Sequence, residues 1–490
     1  MENKRILAFD FGASSGRAMI CTLKDGKLNL EEIHRFPNEP VKVVGKLYWD
    51  VLRLFHEIKQ GITKATLSGG FDYLGIDTWG VDYGLINEYG ELVTNPTHYR
   101  DESTIGMPEE VFKSISKEEL YSVAGTQCLN FNTVYQLAYA AKYRKDEFKL
   151  GKKLLLIPDL FAYFLTGKMR MEYSNASTTN LLDASDKTIS KEILEKIGVD
   201  KDIFPEIIMA GEEYGMLSDE ICEELHCKKV PVIAVATHDT ASAVVAVPTL
   251  NKDYAYISCG TWSLFGTVID KPILSKESCS IGYTNEGAFD GKIRYLKNIM
   301  GLWLIQQSRN EWKRQGLDVS FDEMEKAAKE AEPFKCFIDP DAPDFVAPGN
   351  MPKRVTEYCK KTGQFVPTTM GEILRCIYQS LALKYKYSIE HLEQLTGKKY
   401  DCVHMIGGGI KDNLLCSMTA SACGRTVKAG PVEATVTGNV LVQMMSAGMI
   451  KDLDEGRKIV LNSFPVKTFE AENTAEWEKA YETFKKYLAK

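Results

Sequence analysis

Ile6-Leu-Ala-Phe-Asp-Phe-Gly-Ala-Ser-Ser-Gly-Arg17 is the stretch on which the reading of this chain turns. Ile6 to Phe9 form an apolar run of the kind that makes a buried strand. The run meets Asp10, and Gly12, Ala13, Ser14, Ser15 and Gly16 follow as a tight turn of small residues. Apolar residues resume at Ala18, Met19 and Ile20, which predicts a second strand returning as a hairpin. Small residues at such a tip let backbone N–H groups come close to an anion. The hydroxyls of Ser14 and Ser15 and the guanidinium of Arg17 add donors matched to phosphate oxygens. Asp10 does not fit as a direct phosphate ligand, because two unit charges about 4 Å apart repel by about 4 kcal/mol at an effective dielectric of about 20. A carboxylate there calls for a bridging cation, most simply Mg²⁺ retaining some of its waters. A plain surface hairpin, with Asp10 as a cap and Arg17 in solvent, fits the same letters, and this stretch alone does not separate the two.

At 490 residues the chain exceeds what one hydrophobic core serves, which predicts two large domains. Its composition, 44% hydrophobic and 26% charged, is that of a globular protein. A net charge of −7 argues against nucleic-acid binding, which usually brings a basic face. No apolar run reaches bilayer length. Met1-Glu-Asn-Lys-Arg5 leads straight into the first strand, leaving no room for a signal peptide. Twelve cysteines are scattered rather than paired at metal spacing. Cys222 and Cys227 flank His226 with no second pair to follow, and Cys416 and Cys423 sit at core spacing on a predicted helix. We read free thiols in a reducing, cytoplasmic compartment.

Outward from the hairpin, Leu28–Phe36 predicts a third strand, and Val51, Leu54, Phe55, Ile58 and Ile62 predict a helix opened by Asp50. Tyr73-Leu-Gly-Ile-Asp-Thr-Trp-Gly-Val-Asp-Tyr-Gly84 reads as a strand ending near Asp77, a loop, and a strand from Tyr83 to Asn87. This order fits an α/β domain with a mixed sheet. Residues 103–225 are mainly helical in pattern, with Gly167 closing one helix. The strand Val230–Ala236 then opens onto Thr237-His-Asp-Thr-Ala-Ser-Ala243, the kind of strand end where open α/β sheets place ligands.

Near mid-chain, after Pro248, the opening pattern recurs. Tyr256-Ile-Ser-Cys-Gly-Thr-Trp-Ser263 lines up with the first hairpin, Gly260 standing for Gly12 and Ser258 for Asp10. The echo predicts two halves of one architecture, each with a phosphate-facing hairpin. A helix from Gly301 carries Gln306, residues 332–352 read as a Pro-rich surface loop, and a capping box of Thr369 and Glu372 opens a long helix to Leu395. The strand Cys402–Ile406 meets Gly407-Gly-Gly409 ahead of another helix. Three glycines bare the backbone for an adenine ring or a phosphate, or simply make a tight strand–helix turn. Gly438, inside an apolar helical pattern, costs about 1 kcal/mol against Ala, so we assign it to close packing on another helix. Asp239 could cap a helix or act as a general base for an alcohol attacking a phosphoryl group, and spacing alone leaves both open. Asp77 and Asp82 likewise stay open between substrate ligand and turn residue.

Together these segments resemble the FGGY carbohydrate kinases of the actin/Hsp70-like ATPase superfamily, nearly end to end. The segments that carry the resemblance are Asp10–Arg17, Gly75–Asp82, Thr237–Ala243, Ser258–Ser263, Asn298-Ile-Met-Gly-Leu-Trp303 and Gly430-Pro-Val-Glu-Ala434. It implies two RNase H-like α/β domains with mixed sheets and an interdomain cleft. Residues 1–245 would hold the sugar side, the first phosphate loop and the catalytic Asp, and residues 246–490 the second phosphate loop and the adenine side. It implies ATP-dependent phosphorylation of a small ketose at its 1-hydroxyl, L-rhamnulose first, with L-fuculose, D-xylulose or a sugar-independent nucleotide switch as alternatives. Asp239 matches the family's catalytic base. Ala13, Ser14, Ser15, Gly16, Arg17, Thr261, Gln306 and Gly408 match ATP-side positions, and Gly80, His238, Thr240 and Asn298 match sugar-side positions. Asp10 would hold Mg²⁺ through water. One departure stands out: where many members carry Asp-x-Arg, this chain has Asp101-Glu-Ser103. That leaves the local ion pairing in doubt. Neither a nucleic acid nor a membrane is implied, and oligomeric state is not legible.

Overall fold

The computed structural model describes residues 4–12 and 14–488, so Ala13 of the first turn lies outside the described residues. The chain divides into two compact units. Unit 1 comprises residues 1–250, 268–295 and 434–463, and unit 2 comprises 251–267, 296–433 and 464–490.

Unit 1 is built on a six-stranded mixed sheet. Its order is Glu213–Met216, Pro231–Ile233, Tyr73–Asp77, Arg5–Phe11, Ser15–Lys24, Lys27–Pro37. The three central strands are parallel and the outer pairings antiparallel. Ile6 to Phe11 are buried throughout because this strand is covered on both faces. Leu7, Phe9 and Phe11 join Leu54, Ile58 and Ile62 of the helix Val51–Leu67 in one core, and that helix is capped by Asp50. The opposite face receives the helix Ala434–Ser446, whose Gln443 Nε2 donates to Leu7 O at 3.2 Å. Gly438 of this helix fills the role assigned to it. A Cβ there would stand 1.7 Å from the carbonyl oxygen of Ser242 on the helix Asp239–Val245.

Residues 103–225 are mainly helical, as their pattern predicts, with short strands that it does not show. Helices such as Thr133–Tyr143 and Ile157–Thr166, the latter closed by Gly167 in the left-handed conformation, do dominate. Short strands intervene, among them Lys153–Leu156, Arg170–Glu172, Glu206–Ile208 and Glu213–Met216. Three or four residues are too few for a period of two to show against a helical background. The last of them is nonetheless the edge of the main sheet.

In unit 2 the strand Ala255–Cys259 pairs antiparallel with Trp262–Ile269 and parallel with Cys402–Ile406. The latter pairs parallel with Thr426–Ala429, which takes Lys467–Phe469 as an antiparallel edge. This connectivity repeats that of Arg5–Phe11 with its hairpin partner, its two parallel neighbours and its antiparallel edge. Each turn opens on a glycine whose N–H closes it, Gly12 N donating to Ser15 O at 3.0 Å and Gly260 N to Trp262 O at 2.9 Å, the second turn being one residue shorter. The echo in sequence is therefore an echo in topology. The long helix spans Met370–Thr396, with the Thr369/Glu372 capping box formed and Leu374, Ile377, Leu381, Tyr385, Ile389 and Leu392 buried. The expected Pro-rich loop holds a short 3₁₀ turn at Pro343–Phe345, and the helix Met351–Lys361 begins at its end.

Candidate functional site

Three acidic residues of unit 1 converge because three parallel strands end at one level. Asp10 and Asp77 stand opposite one another in the register of their strands, and Asp239 follows the third strand. Asp239 N donates to Thr78 O at 2.8 Å, which ties the start of its helix to the end of the Asp77 strand. The structure corrects one of the two sequence options here. The N-cap position belongs to His238, so Asp239 is the first helical residue and not the cap. Its Oδ1 accepts from Thr240 N at 2.5 Å and from Thr240 Oγ1 at 3.2 Å.

The electrostatics of the three acids are coupled. Burial pushes the Asp77 carboxyl well above the usual carboxylate range, and the charge of Asp10 pushes it further. Asp77 is fully buried. Its Oδ2 accepts from Asn439 Nδ2 at 2.6 Å, while its Oδ1 has no donor. Burial also raises Asp239, opposed by the His238 ring and reinforced by Asp10. Arg17 is committed to this cluster. Its Nε and Nη2 lie 3.0 and 2.8 Å from Asp10 Oδ2, so it pairs with that acid. One guanidinium against three carboxyls, with a buried acceptor left unmet, is a donor set that suits a hard divalent cation.

The loop from Thr78 to Asp82 is strained and heavily tied. Val81 adopts a φ of 67°, where a β-branched residue is an outlier. Such strain costs roughly 1–3 kcal/mol and persists only where surroundings over-determine it. Thr178 Oγ1 accepts from Val81 N at 3.0 Å, while Thr133 Oγ1 donates to Val81 O at 2.6 Å. Gly80 lies against Thr178, whose Oγ1 would stand 2.8 Å from a Cβ. Asp82 resolves to an anchor: Trp49 Nε1, Trp79 Nε1, Tyr99 N and Gln136 Nε2 all donate to it, at 2.6 to 3.2 Å.

Two features escaped sequence reasoning. Buried Glu172 accepts from the backbone N–H groups of Ser174, Asn175 and Thr237 and from the hydroxyls of Ser174 and Thr237. It thereby fixes the turn that delivers His238 and Asp239. Glu286 and Arg294 form a buried ion pair at 3.0 Å beside the His238 ring. Arg294, a charge inside the largely apolar strand Ile293–Met300, was the available signal, whereas Glu172 and Glu286 sit in short polar strands that offered none. The departure at Ser103 is also settled locally. Lys46 Nζ reaches Ser103 Oγ at 2.5 Å and Asp101 Oδ1 at 3.5 Å, so a lysine from elsewhere supplies the cation.

In unit 2 the counterpart residues gather at one end of the sheet. Thr261 O accepts from Gly301 N at 3.1 Å and Trp303 N at 3.2 Å, which seats the helix Trp303–Arg314, and with it Gln306, on the Gly260–Thr261 turn. The adjacent strand end carries the glycine triplet. Gly407 has φ 89°, and a Cβ on Gly409 would meet Cys259 Sγ at 2.5 Å. Those two make the tight turn. Gly408 is exposed, and a Cβ there would meet nothing within 4 Å. Asn298 lies on the strand Ile293–Met300, four residues beyond Arg294.

Residues 5–246 match the FGGY family of carbohydrate kinases, N-terminal domain, and residues 255–447 match its C-terminal domain. The chain is 41% identical over 483 residues to a protein of Bacteroides thetaiotaomicron named rhamnulokinase, covering 98% of this chain and 99% of that one. Against the rhamnulokinase of Bacillus subtilis it is 42% identical over 465 residues, 94% of each chain. Gluconate kinase from Lactobacillus acidophilus superposes with a TM-score of 0.83 at 16% identity, over 99% of this chain and 97% of that one. Plasmodium falciparum glycerol kinase with ADP gives 0.78 at 14%, over 98% of each. The fold is thus the two-domain, actin/Hsp70-like one. Among the described residues, no helix is long and apolar enough to cross a membrane.

Proposed function

This chain belongs to the FGGY family of carbohydrate kinases, and we propose that it transfers the γ-phosphoryl group of ATP to the 1-hydroxyl of L-rhamnulose in the cytoplasm. The observation that carries the sugar's identity is end-to-end similarity, at about 40% identity, to rhamnulokinases of several genera. In this reading Asp239 is the general base. The sugar O1 forms a bond to the γ-phosphorus as the bond from phosphorus to the β,γ-bridging oxygen breaks, and the O1 proton passes to the Asp239 carboxylate. A raised carboxyl makes a better proton acceptor than an ordinary Asp, provided it stays ionised.

Gly80, His238, Thr240 and Asn298 are taken as the sugar-side residues. Residues 13–17 and Thr261 are taken as the phosphate loops, and Gln306 and Gly408 as the adenine side. Domain 1–245 carries the first phosphate loop, Asp239 and the sugar-side residues other than Asn298, and domain 246–490 carries Asn298, Thr261 and the adenine side. Mg²⁺ supplies charge neutralisation on the phosphates, and Asp10 is the residue that would hold it through water. The unmet Oδ1 of Asp77 and the excess of acid over base around it support that fit.

The test is release of ADP by the purified chain with ATP, Mg²⁺ and a panel of ketoses. L-Rhamnulose is expected to give the highest kcat/KM. A higher value with L-fuculose or D-xylulose would reassign the substrate, and hydrolysis indifferent to every sugar would return the chain to a nucleotide switch.

A further inference from the structure

The ring of His238 is only 12% exposed, and three charged groups face it. Arg294 Nη2 lies 2.9 Å from Nδ1, Glu286 Oε2 lies 3.4 Å from the same nitrogen, and Asp239 Oδ1 lies 3.5 Å from Nε2. A guanidinium has five N–H donors, no acceptor, and does not give up its proton. A hydrogen bond between Arg294 and Nδ1 therefore requires a lone pair on Nδ1. In a neutral imidazole the single ring proton must then sit on Nε2. Glu286 would ask the opposite, a proton on Nδ1. Distance decides between them: 2.9 Å is within hydrogen-bond range and 3.4 Å is beyond it.

Arg294 is itself held rigidly. It is fully buried, Nε donates to Gly287 O at 2.7 Å, and Nη2 also donates to Glu286 Oε2 at 3.0 Å. Burial alone would raise the Glu286 carboxyl, but the charge of Arg294 brings it below the usual carboxylate range, so the pair stays ionic. The remaining Nη1 is buried with no acceptor. An unmet buried donor costs roughly 1–3 kcal/mol, which points to a task other than stability.

We infer that Arg294, aligned by Glu286, is a positioning residue that fixes His238 as its Nε2–H tautomer, so that the ring presents a hydrogen-bond donor beside Asp239. The substrate half of this inference rests on the sugar-kinase reading, and the tautomer half does not. At 3.5 Å the Nε2–H is not spent on Asp239. It is available to an oxygen of the incoming ketose, which leaves the Asp239 carboxylate to take the O1 proton. With the proton on Nδ1, Nε2 would become an acceptor. It would then compete with Asp239 for the hydroxyl proton and offer the sugar oxygen a lone pair instead of a donor.

The two halves are tested separately. Long-range ¹H–¹⁵N spectra of the full-length chain without ligands read the tautomer of each of its seven histidines. The His238→Gln spectrum assigns the signal. Wild type should show an unprotonated Nδ1 and a protonated Nε2. Arg294→Met should move the signal toward a mixture of tautomers, and Arg294→Lys, which keeps a donor, should move it less. If Arg294→Met does not fold, the wild-type spectrum by itself still decides the tautomer, and Arg294→Lys supplies the comparison. In kinetics, the ketose KM should rise roughly threefold to tenfold in Arg294→Met, the size expected for a lost neutral hydrogen bond, with the ATP KM held within about twofold of wild type. A wild-type signal from Nδ1–H, or an unchanged ring signal in a folded Arg294→Met, overturns the inference. The Nε2–H signature in a chain that ignores all sugars would keep the tautomer and overturn the substrate half.

Discussion

Replacing Gly438 by Ala separates helix propensity from packing. In an exposed helix interior this change gains about 1 kcal/mol. Here the new Cβ would stand 1.7 Å from Ser242 O and 2.6 Å from Ser242 C. Ordinary contact begins near 3.4 Å, so the helices Asp239–Val245 and Ala434–Ser446 must part by well over 1 Å. The obstacle is backbone, which no rotamer change can relieve. Overpacking of this kind typically costs about 1–3 kcal/mol, and a forced backbone shift belongs at or above the top of that range. The net expectation is destabilisation by about 2 kcal/mol or more. Function should suffer more than stability. One helix begins at Asp239, and the other carries Asn439, the donor to Asp77. A misplacement of about 1 Å in such a constellation can cost roughly 100-fold in turnover. Urea unfolding and ADP release on the same preparation measure both. Gly438→Ala combined with Ser242→Ala should be no better than Gly438→Ala alone, because the hydroxyl is not what blocks it. A Gly438→Ala chain as stable and as active as wild type would refute the packing argument.

Asp239→Asn should keep the fold and lower sugar-dependent turnover by roughly 10²–10⁴-fold, the usual contribution of a general base, as read by ADP release. Because the ionised carboxylate is the base and its pKa is raised, the acid limb of the kcat/KM profile should lie above about 3.9, the value of an ordinary Asp. Gly408→Val should leave unfolding unchanged and raise the ATP KM roughly tenfold or more if adenine lies over that bare backbone, whereas Gly409→Ala should destabilise by about 1–3 kcal/mol against Cys259. Burial pushes Asp82 up to about 7 in spite of its donors. The native state then holds one proton more than the unfolded chain between about pH 4 and 7, so this group's contribution to stability falls as pH rises through that window. Urea unfolding in Asp82→Asn should show a flatter dependence there.

Much of this was open to reading in the letters. The first strand showed as an unbroken apolar run because it is buried on both faces. The two hairpins showed as one pattern because each places a glycine directly after its first strand. Asp50, Gly167 and the Thr369/Glu372 box showed because the ends of a helix leave backbone groups that only a few residue types satisfy. Those are local constraints, and a linear sequence records local constraints directly.

What joins distant parts of the chain was not recorded there. Glu172, Glu286 and Arg294 each occur singly, with no spacing motif, and acquire a role only when folding sets them against Thr237 and His238. The pairing of Arg17 with Asp10 was not legible, because the two face each other across the hairpin only in the strand register. Asp239 read equally well as cap or base until the helix start was placed one residue earlier. The reason is the same throughout. A buried charge or strained backbone is tolerated only by groups that arrive from other elements, and which groups arrive is decided by tertiary packing.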